Sequence, residues 1–136
     1  MQTAEDILNE GKTIAVVGLS PKPERDSHLV AKYLKEQGYR IIPVNPMVDE
    51  VLGEKSYPDL KAIPERVDVV DVFRKAEDVL PIVDQAIDIG ASAVWMQLGI
   101  INEVAAARAR EAGLGVVMDR CMLIEHRRMV GEGKLT

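Results

Sequence analysis

The chain has 136 residues and a formal net charge of −5, and hydrophobic residues make up 47% of it while aromatic residues make up only 4%. This length fits a single domain over residues 1–136, and the composition predicts an aliphatic core. The sequence contains no basic run and no stretch that mixes basic and aromatic residues, which disfavours nucleic acid as a partner.

Targeting and redox features are equally sparse. The N-terminal segment is polar without a signal-peptide core, and no apolar run approaches the roughly 20 residues that span a bilayer. Cys121 is the single cysteine, so an intramolecular disulfide framework and a thiolate metal cluster are excluded. We therefore expect a cytoplasmic protein that has no membrane partner.

The chain opens with a short helix and a buried strand. Thr3 and Asp6 have the spacing of a capping box, and Gly11 is suited to end the helix. The β-branched apolar run at residues 13–18 ends in glycine and predicts the first strand. A polar, proline-rich loop follows over residues 19–26.

A helix and a second strand come next. Asp26 or Ser27 is predicted to cap the helix, which ends at Gly38. Residues 40–44 predict the second strand, although Pro43 would remove a ladder bond from a central strand. One face of the helix carries Leu29, Val30, Tyr33 and Leu34.

The second half alternates strands with helices after an irregular segment at 45–65. The predicted strands are 67–73, 92–96 and 115–118, and the predicted helices are 77–89, 102–113 and 122–128. Pro81 is tolerable only in the first turn of its helix, and Asn102 is a suitable cap for the next.

Continuous apolar strands between amphipathic helices predict a parallel α/β sheet with helices on both faces. Right-handed crossovers then favour a Rossmann-type, doubly wound sheet of five strands in the order 3-2-1-4-5. Ligands of such folds bind beyond the carboxyl ends of the strands, so the residues at those ends are the candidates for function.

The loop after the first strand carries features of an anion site. Gly18 stands where the backbone leaves the strand, Ser20 and Ser27 offer hydroxyls, and Lys22 and Arg25 offer cations before a helix N-terminus. The G-x-G-x-x-G spacing is absent. A solvated loop with a helix cap explains the same residues.

The next two strand ends are also ambiguous. Asn45 stands where NAD-binding sheets usually carry an acid for the ribose hydroxyls, although Asn45 and Pro46 could simply form a turn. Phe73 and Arg74 could flank an adenine and contact a phosphate, or be a core residue and a solvated cation.

The last two strand ends offer weaker candidates. Gly99 allows close backbone approach and Gln97 offers a donor and an acceptor, but a turn with a helix cap is an equal alternative. Cys121 has no base paired with it in the sequence. His28 could donate to a phosphate, and His28 and His126 lack metal-ligand spacing.

Taken together, these strand ends resemble a known family. The segments G-L-S-P-K-P, V-N-P, V-D-V-F-R, Q-L-G and D-R-C look like the stand-alone CoA-binding domain family, the YccU-like group, over roughly residues 6–128. That family is similar to the N-terminal domain of the succinyl-CoA synthetase α subunit.

The resemblance implies coenzyme A as the ligand and assigns roles to the residues at the carboxyl ends of the strands. The implied pyrophosphate side comprises Gly18, Ser20, Pro21, Lys22, Arg25 and Ser27. Asn45 and Pro46 would lie near the 3′-phosphorylated ribose. Val72, Phe73 and Arg74 would follow the adenine and phosphates, and Met96, Gln97 and Gly99 would lie toward the pantetheine arm.

Two departures from the synthetase limit what carries over. No lysine follows the second strand in the synthetase manner, so Lys22 or Arg25 would have to meet the 3′-phosphate. The synthetase domain that carries a phosphorylated histidine has no counterpart here, so ligase chemistry is not implied.

The sequence therefore predicts a protein that binds CoA or an acyl-CoA without catalysis of its own and without a metal. Two alternatives stay open at this point. One is an NAD(P)-binding, oxidoreductase-like subunit. The other is an interaction subunit with a vestigial nucleotide site and an unidentified protein partner.

Overall fold

The computed structural model describes residues 2–135. The strands are β1 (Thr13–Val17), β2 (Arg40–Val44), β3 (Glu50–Val51), β4 (Glu54–Lys55), β5 (Val69–Val72), β6 (Ala93–Met96) and β7 (Gly115–Val117). The helices are α1 (Ala4–Glu10), α2 (Asp26–Glu36), α3 (Val79–Asp88), α4 (Glu103–Glu111) and α5 (Met122–Gly131), with 3₁₀ turns at Leu60–Ala62 and Ala76–Asp78.

Five strands form one parallel sheet in the order β2-β1-β5-β6-β7. One face is covered by α1, α2 and α5, and the other by α3, α4 and the first 3₁₀ turn. The predicted class, a parallel α/β sheet with helices on both faces, is confirmed.

The predicted strand order is wrong. In the numbering of the five predicted strands the order is 2-1-3-4-5, because β5 pairs with β1, with Ile14 beside Val69. Leu60 and Ile63, in the connection after β2, pack on the face opposite α2. Because the connection crosses on that face, a right-handed crossover places β5 beside β1, on the side away from β2.

The edge position of β2 also accounts for Pro43. Because β2 pairs with only one neighbour in the main sheet, its proline does not interrupt a ladder on both sides. The irregular segment that follows contains the antiparallel hairpin β3–β4, which was not predicted.

The predicted helix caps have mixed outcomes. The Thr3 capping box and the Asn102 cap are both present. The predicted cap of α2 is wrong, because the helix already includes Asp26, and Arg25 occupies the N-cap position without a side-chain cap bond. Leu29 is 50% exposed and is not a core residue.

None of the helices within residues 2–135 has the length and the apolar character that spanning a membrane requires.

Candidate functional site at the carboxyl edge of the sheet

A close backbone approach joins the ends of β1 and β5. Gly18 has a φ of 89°, which side chains disfavour. A Cβ at this position would collide with the carbonyl oxygen of Phe73 and press on the side chain of Arg74. Glycine is therefore required here, and the loop after β1 lies directly against the end of β5.

Internal hydrogen bonds give this loop its shape. The Ser27 hydroxyl accepts from the Ser20 amide at 3.0 Å, and the Ser20 hydroxyl accepts from the Lys22 amide at 3.1 Å. His28 is buried, and its Nδ1 lies 3.0 Å from the Ser20 carbonyl oxygen. Because a carbonyl oxygen only accepts, Nδ1 carries the proton. These three side chains hold the loop in place from within.

The N-terminus of α2 opens onto the loop without a side-chain cap. The first-turn N–H groups of a helix have no partner inside the helix, and Arg25 does not supply one. In contrast, Thr3 and Asn102 cap α1 and α4 with side-chain oxygens. The start of α2 therefore keeps free donors and a partial positive charge, which suit an anion.

Two exposed cations stand beside these donors. Among residues 2–135, neither Lys22 nor Arg25 forms an ion pair. They line a cavity of about 580 Å³, here called the crest pocket, whose walls are Gly18, Ser20, Lys22, Glu24, Arg25, Asp26, Ser27 and Phe73. Since Glu24 and Asp26 balance the formal charge of Lys22 and Arg25, the features that suit an anion are the directed N–H groups and the exposed cations, and not a net positive charge.

The end of β2 is fastened to the same loop. The side-chain nitrogen of Asn45 (Nδ2) donates to the Leu19 carbonyl at 3.0 Å, and its side-chain oxygen accepts from the Met47 backbone amide at 2.9 Å. Pro46 beside it is exposed. Asn45 thus joins the ends of β1 and β2.

Residues at the ends of β5 and β6 differ in how far they reach the surface. Val72 and Met96 are completely buried in the layer with α3 and α4, so their side chains support the edge from below. Phe73 is half-buried and Arg74 is exposed. The Gly99 amide donates to Asp119 at 2.7 Å.

Gln97 is buried with both ends of its carboxamide engaged. Its nitrogen donates to Asp71 at 2.5 Å, and its oxygen accepts from the Met122 amide at the start of α5 at 3.3 Å. Burial raises the pKa of Asp71 to about 7, and the bond from Gln97 only partly offsets that rise. Among the described residues, 2–135, the second carboxyl oxygen of Asp71 has no hydrogen-bond partner.

Sequence reasoning did not single out Asp71. Its neighbours across the sheet are Val16 and Trp95, and its side chain is 0% exposed. The available signal was a carboxylate in the middle of an otherwise apolar strand, where it is costly to bury.

A second cavity of about 340 Å³, here called the apolar groove, lies next to the crest pocket. Its walls are Asp26, Leu29, Val30, Phe73, Gln97, Leu98, Ile100, Cys121, Leu123 and Ile124. Sequence reasoning missed this feature as well. The signal was Leu98, an apolar residue in a turn directly after a strand.

The two cavities divide the predicted site residues into groups. The crest pocket brings together Gly18, Ser20, Lys22, Arg25, Ser27 and Phe73, and the groove adds Gln97. The remaining predicted residues line neither cavity: Pro21, His28, Asn45, Pro46, Val72, Arg74, Met96 and Gly99. Over residues 2–135 no cluster of three His, Cys, Asp or Glu side chains could hold a metal ion.

A family model described as a CoA binding domain matches residues 12–127. The chain belongs to the CoA binding domain family. Uncharacterized protein YneT of Bacillus subtilis is 43% identical over 122 residues, which cover 90% of each chain. The structure of a hypothetical protein from Pyrococcus horikoshii OT3 has a TM-score of 0.91 at 50% identity and covers 96% of this chain and 94% of its own.

The CoA binding domain also resembles part of a larger enzyme. The α subunit of an ADP-forming acetate–CoA ligase from Pyrococcus furiosus is 46% identical over 65 residues, which are 47% of this chain and 14% of that protein. The resemblance to stand-alone CoA-binding proteins, stated above from the strand ends, is confirmed.

Proposed function

We propose that this protein binds coenzyme A or an acyl-CoA at the crest pocket and has no catalytic activity of its own. The observation that carries the proposal is the uncapped N-terminus of α2, which opens onto a cavity beside Lys22 and Arg25, two cations that form no ion pair within residues 2–135. Membership of the CoA binding domain family supports coenzyme A as the ligand of this anion site.

The pyrophosphate is assigned to the start of α2, where backbone N–H groups and the two cations make charge-assisted hydrogen bonds. The adenosine with its 3′-phosphate is assigned to the ends of β2 and β5, beside Asn45, Pro46, Phe73 and Arg74. The pantetheine arm is assigned to the end of β6, near Gln97 and Gly99. A cation from the loop after β1 would meet the 3′-phosphate.

Binding without turnover is supported by the chemistry of the candidate groups. Cys121 lies on the groove wall, but Nδ1 of His28 bonds the Ser20 carbonyl and Nδ1 of His126 bonds the Tyr33 hydroxyl. A nucleophilic thiol needs a base within hydrogen-bond reach, and neither histidine is paired with the Cys121 thiol.

We further propose that the protein is cytoplasmic.

Calorimetric titration of the protein with CoA and with NAD tests the proposal. We expect CoA to bind more tightly, because Asn45 lacks the carboxylate that suits the free ribose hydroxyls of NAD. Tighter binding of NAD would falsify the proposal. Mass analysis of any nucleotide that co-purifies with the protein provides an independent check.

A further inference from the structure

The apolar groove has a chemistry that the nucleotide and phosphates of CoA do not explain. Leu98 is 65% exposed and Ile124 is 55% exposed, although both are large aliphatic side chains. Together with Leu29 they form the rim of a concave cavity. Exposed apolar side chains gathered around one concavity indicate a ligand-binding surface.

The groove and the crest pocket are adjoining parts of one edge. Asp26 and Phe73 line both cavities, so a ligand whose phosphates occupy the crest pocket can extend past Phe73 into the groove. A molecule that fits both is anionic at one end and apolar at the other.

The polar groups of the groove are either engaged or of the wrong charge for an acidic ligand. Both ends of the Gln97 carboxamide bond protein groups, Asp71 and the Met122 amide. Of the described residues that line the groove, Asp26 alone is charged, and none is a lysine or an arginine. A carboxylate at the end of an acyl chain would find no cation there.

The groove has the form of a small-molecule site. It is a concavity of about 340 Å³ lined mostly by apolar side chains, as ligand pockets typically are. That volume lies near the lower end of the range for small-molecule pockets.

We propose that the apolar groove binds the acyl chain of an acyl-CoA and selects neutral aliphatic chains over chains that end in a carboxylate. This inference rests on the proposed CoA site and names the substrate class of that site. The pantetheine arm, which joins the phosphates to the thioester, would pass Phe73 and reach the groove at Gln97. Leu29, Leu98 and Ile124 would cover the acyl chain beyond the thioester.

Affinities of the protein for CoA and for acetyl-, butyryl-, hexanoyl- and succinyl-CoA test the inference. Each buried methylene is expected to tighten binding by up to about fourfold, so hexanoyl-CoA should bind more tightly than butyryl-CoA, and butyryl-CoA more tightly than CoA. Succinyl-CoA, with as many acyl carbons as butyryl-CoA, should bind no more tightly than CoA.

A matched pair of variants locates the effect. Ile124 and Val130 both lie on α5 and both are 55% exposed, but only Ile124 lines the groove. Ile124→Ser should remove much of the gain from the hexanoyl chain and leave the affinity for CoA within about twofold. Val130→Ser should change neither affinity.

The outcomes separate this inference from the proposed function. If CoA binds but chain length has no effect, or if Ile124→Ser weakens CoA and hexanoyl-CoA equally, the groove does not hold the acyl chain, and the CoA site stands. If succinyl-CoA and butyryl-CoA bind equally, the selection is wrong. If CoA itself does not bind, the proposed function fails as well.

Discussion

The crest pocket and the apolar groove lie side by side at the carboxyl edge of the sheet, yet they are built by different means. Apart from Phe73, the crest pocket is formed by one continuous segment, the loop after β1 and the start of α2, whose hydroxyls and imidazole bond the backbone of the same segment. The groove is formed by side chains from α2, α5 and the turn after β6. A local segment can therefore specify an anion site, whereas an apolar cavity needs several elements to converge.

Their electrostatics differ in the same way. The crest pocket keeps free helix donors and unpaired cations at the surface, where solvent screens their charges. Beneath the groove, Gln97 contacts the buried carboxyl of Asp71, where there is little solvent to screen a charge. Perturbing each region should have effects of different size and different dependence on pH and salt.

The largest expected effect concerns the carboxyl beneath the groove. The pKa of Asp71 rises from 3.8 to about 7 on folding, so the unfolded state releases this proton at lower pH than the folded state. The free energy of unfolding should therefore fall as pH rises from about 4 to about 7, by up to roughly 4 kcal/mol. Asp71→Asn should remove this loss, which denaturant titrations at a series of pH values would measure.

Asp68 provides the matched control, since it precedes the same strand. Burial raises its pKa, but hydrogen bonds from the Thr13 and Lys12 amides outweigh that effect and lower it overall. Asp68→Asn should therefore destabilise the protein at neutral pH, with a loss that shrinks on acidification. If Asp71→Asn followed the same trend as Asp68→Asn, the buried carboxyl would not be the source of the predicted dependence.

The next effect concerns the turn that joins the crest pocket to β5. Gly18→Ala should lower the free energy of unfolding by roughly 3 kcal/mol, because it adds strain at positive φ and a collision with the Phe73 backbone. CoA affinity should fall with it, as the loop can no longer lie against β5. Thermal denaturation and calorimetry measure the two losses.

The Gly99→Ala variant separates the effect of backbone strain at positive φ from the effect of a collision with neighbouring atoms. It also has a positive φ, 86°, but a Cβ there would meet nothing within 4 Å. Gly99→Ala should therefore cost only about 1–2 kcal/mol. Equal losses from the two variants would show that the close approach to Phe73 does not matter.

A smaller effect is expected from the cations of the crest pocket. Lys22→Ala or Arg25→Ala should each weaken CoA binding by ~1.5–3 kcal/mol through loss of a charge-assisted hydrogen bond, and the loss should shrink as salt rises. Lys32→Ala is the control, because Lys32 is exposed on α2 but does not line the pocket. Wild-type affinity in both crest variants would mean that the loop is merely solvated.

The smallest effect is expected at Cys121, on the groove wall. Cys121→Ser should leave CoA affinity within about twofold, because the change is nearly isosteric and no base is paired with the thiol. Acyl-CoA incubated with the wild-type protein should show no steady hydrolysis. A hydrolysis rate that disappeared in the serine variant would instead assign the thiol a catalytic role.

Several parts of the site were accessible to sequence reasoning. Apolar runs that end in glycine or a polar residue mark where strands stop, and parallel strands stop at the same edge. This placed Gly18, Lys22 and Phe73 together at the carboxyl edge, where the crest pocket contains all three. The role of Asn45 toward a ribose stays a prediction, and the structure adds the bonds by which it joins β1 and β2.

The sequence by itself determined the α/β class, most strands and helices, and the family, because these depend on local periodicity and on motifs at strand ends. Only the tertiary structure decided the strand order, since the direction of a right-handed crossover depends on the face on which Leu60 and Ile63 pack. The groove and the raised pKa of Asp71 were likewise tertiary outcomes. Side chains distant in the chain must converge to form a cavity, and a carboxyl is desolvated only when neighbouring strands and helices enclose it.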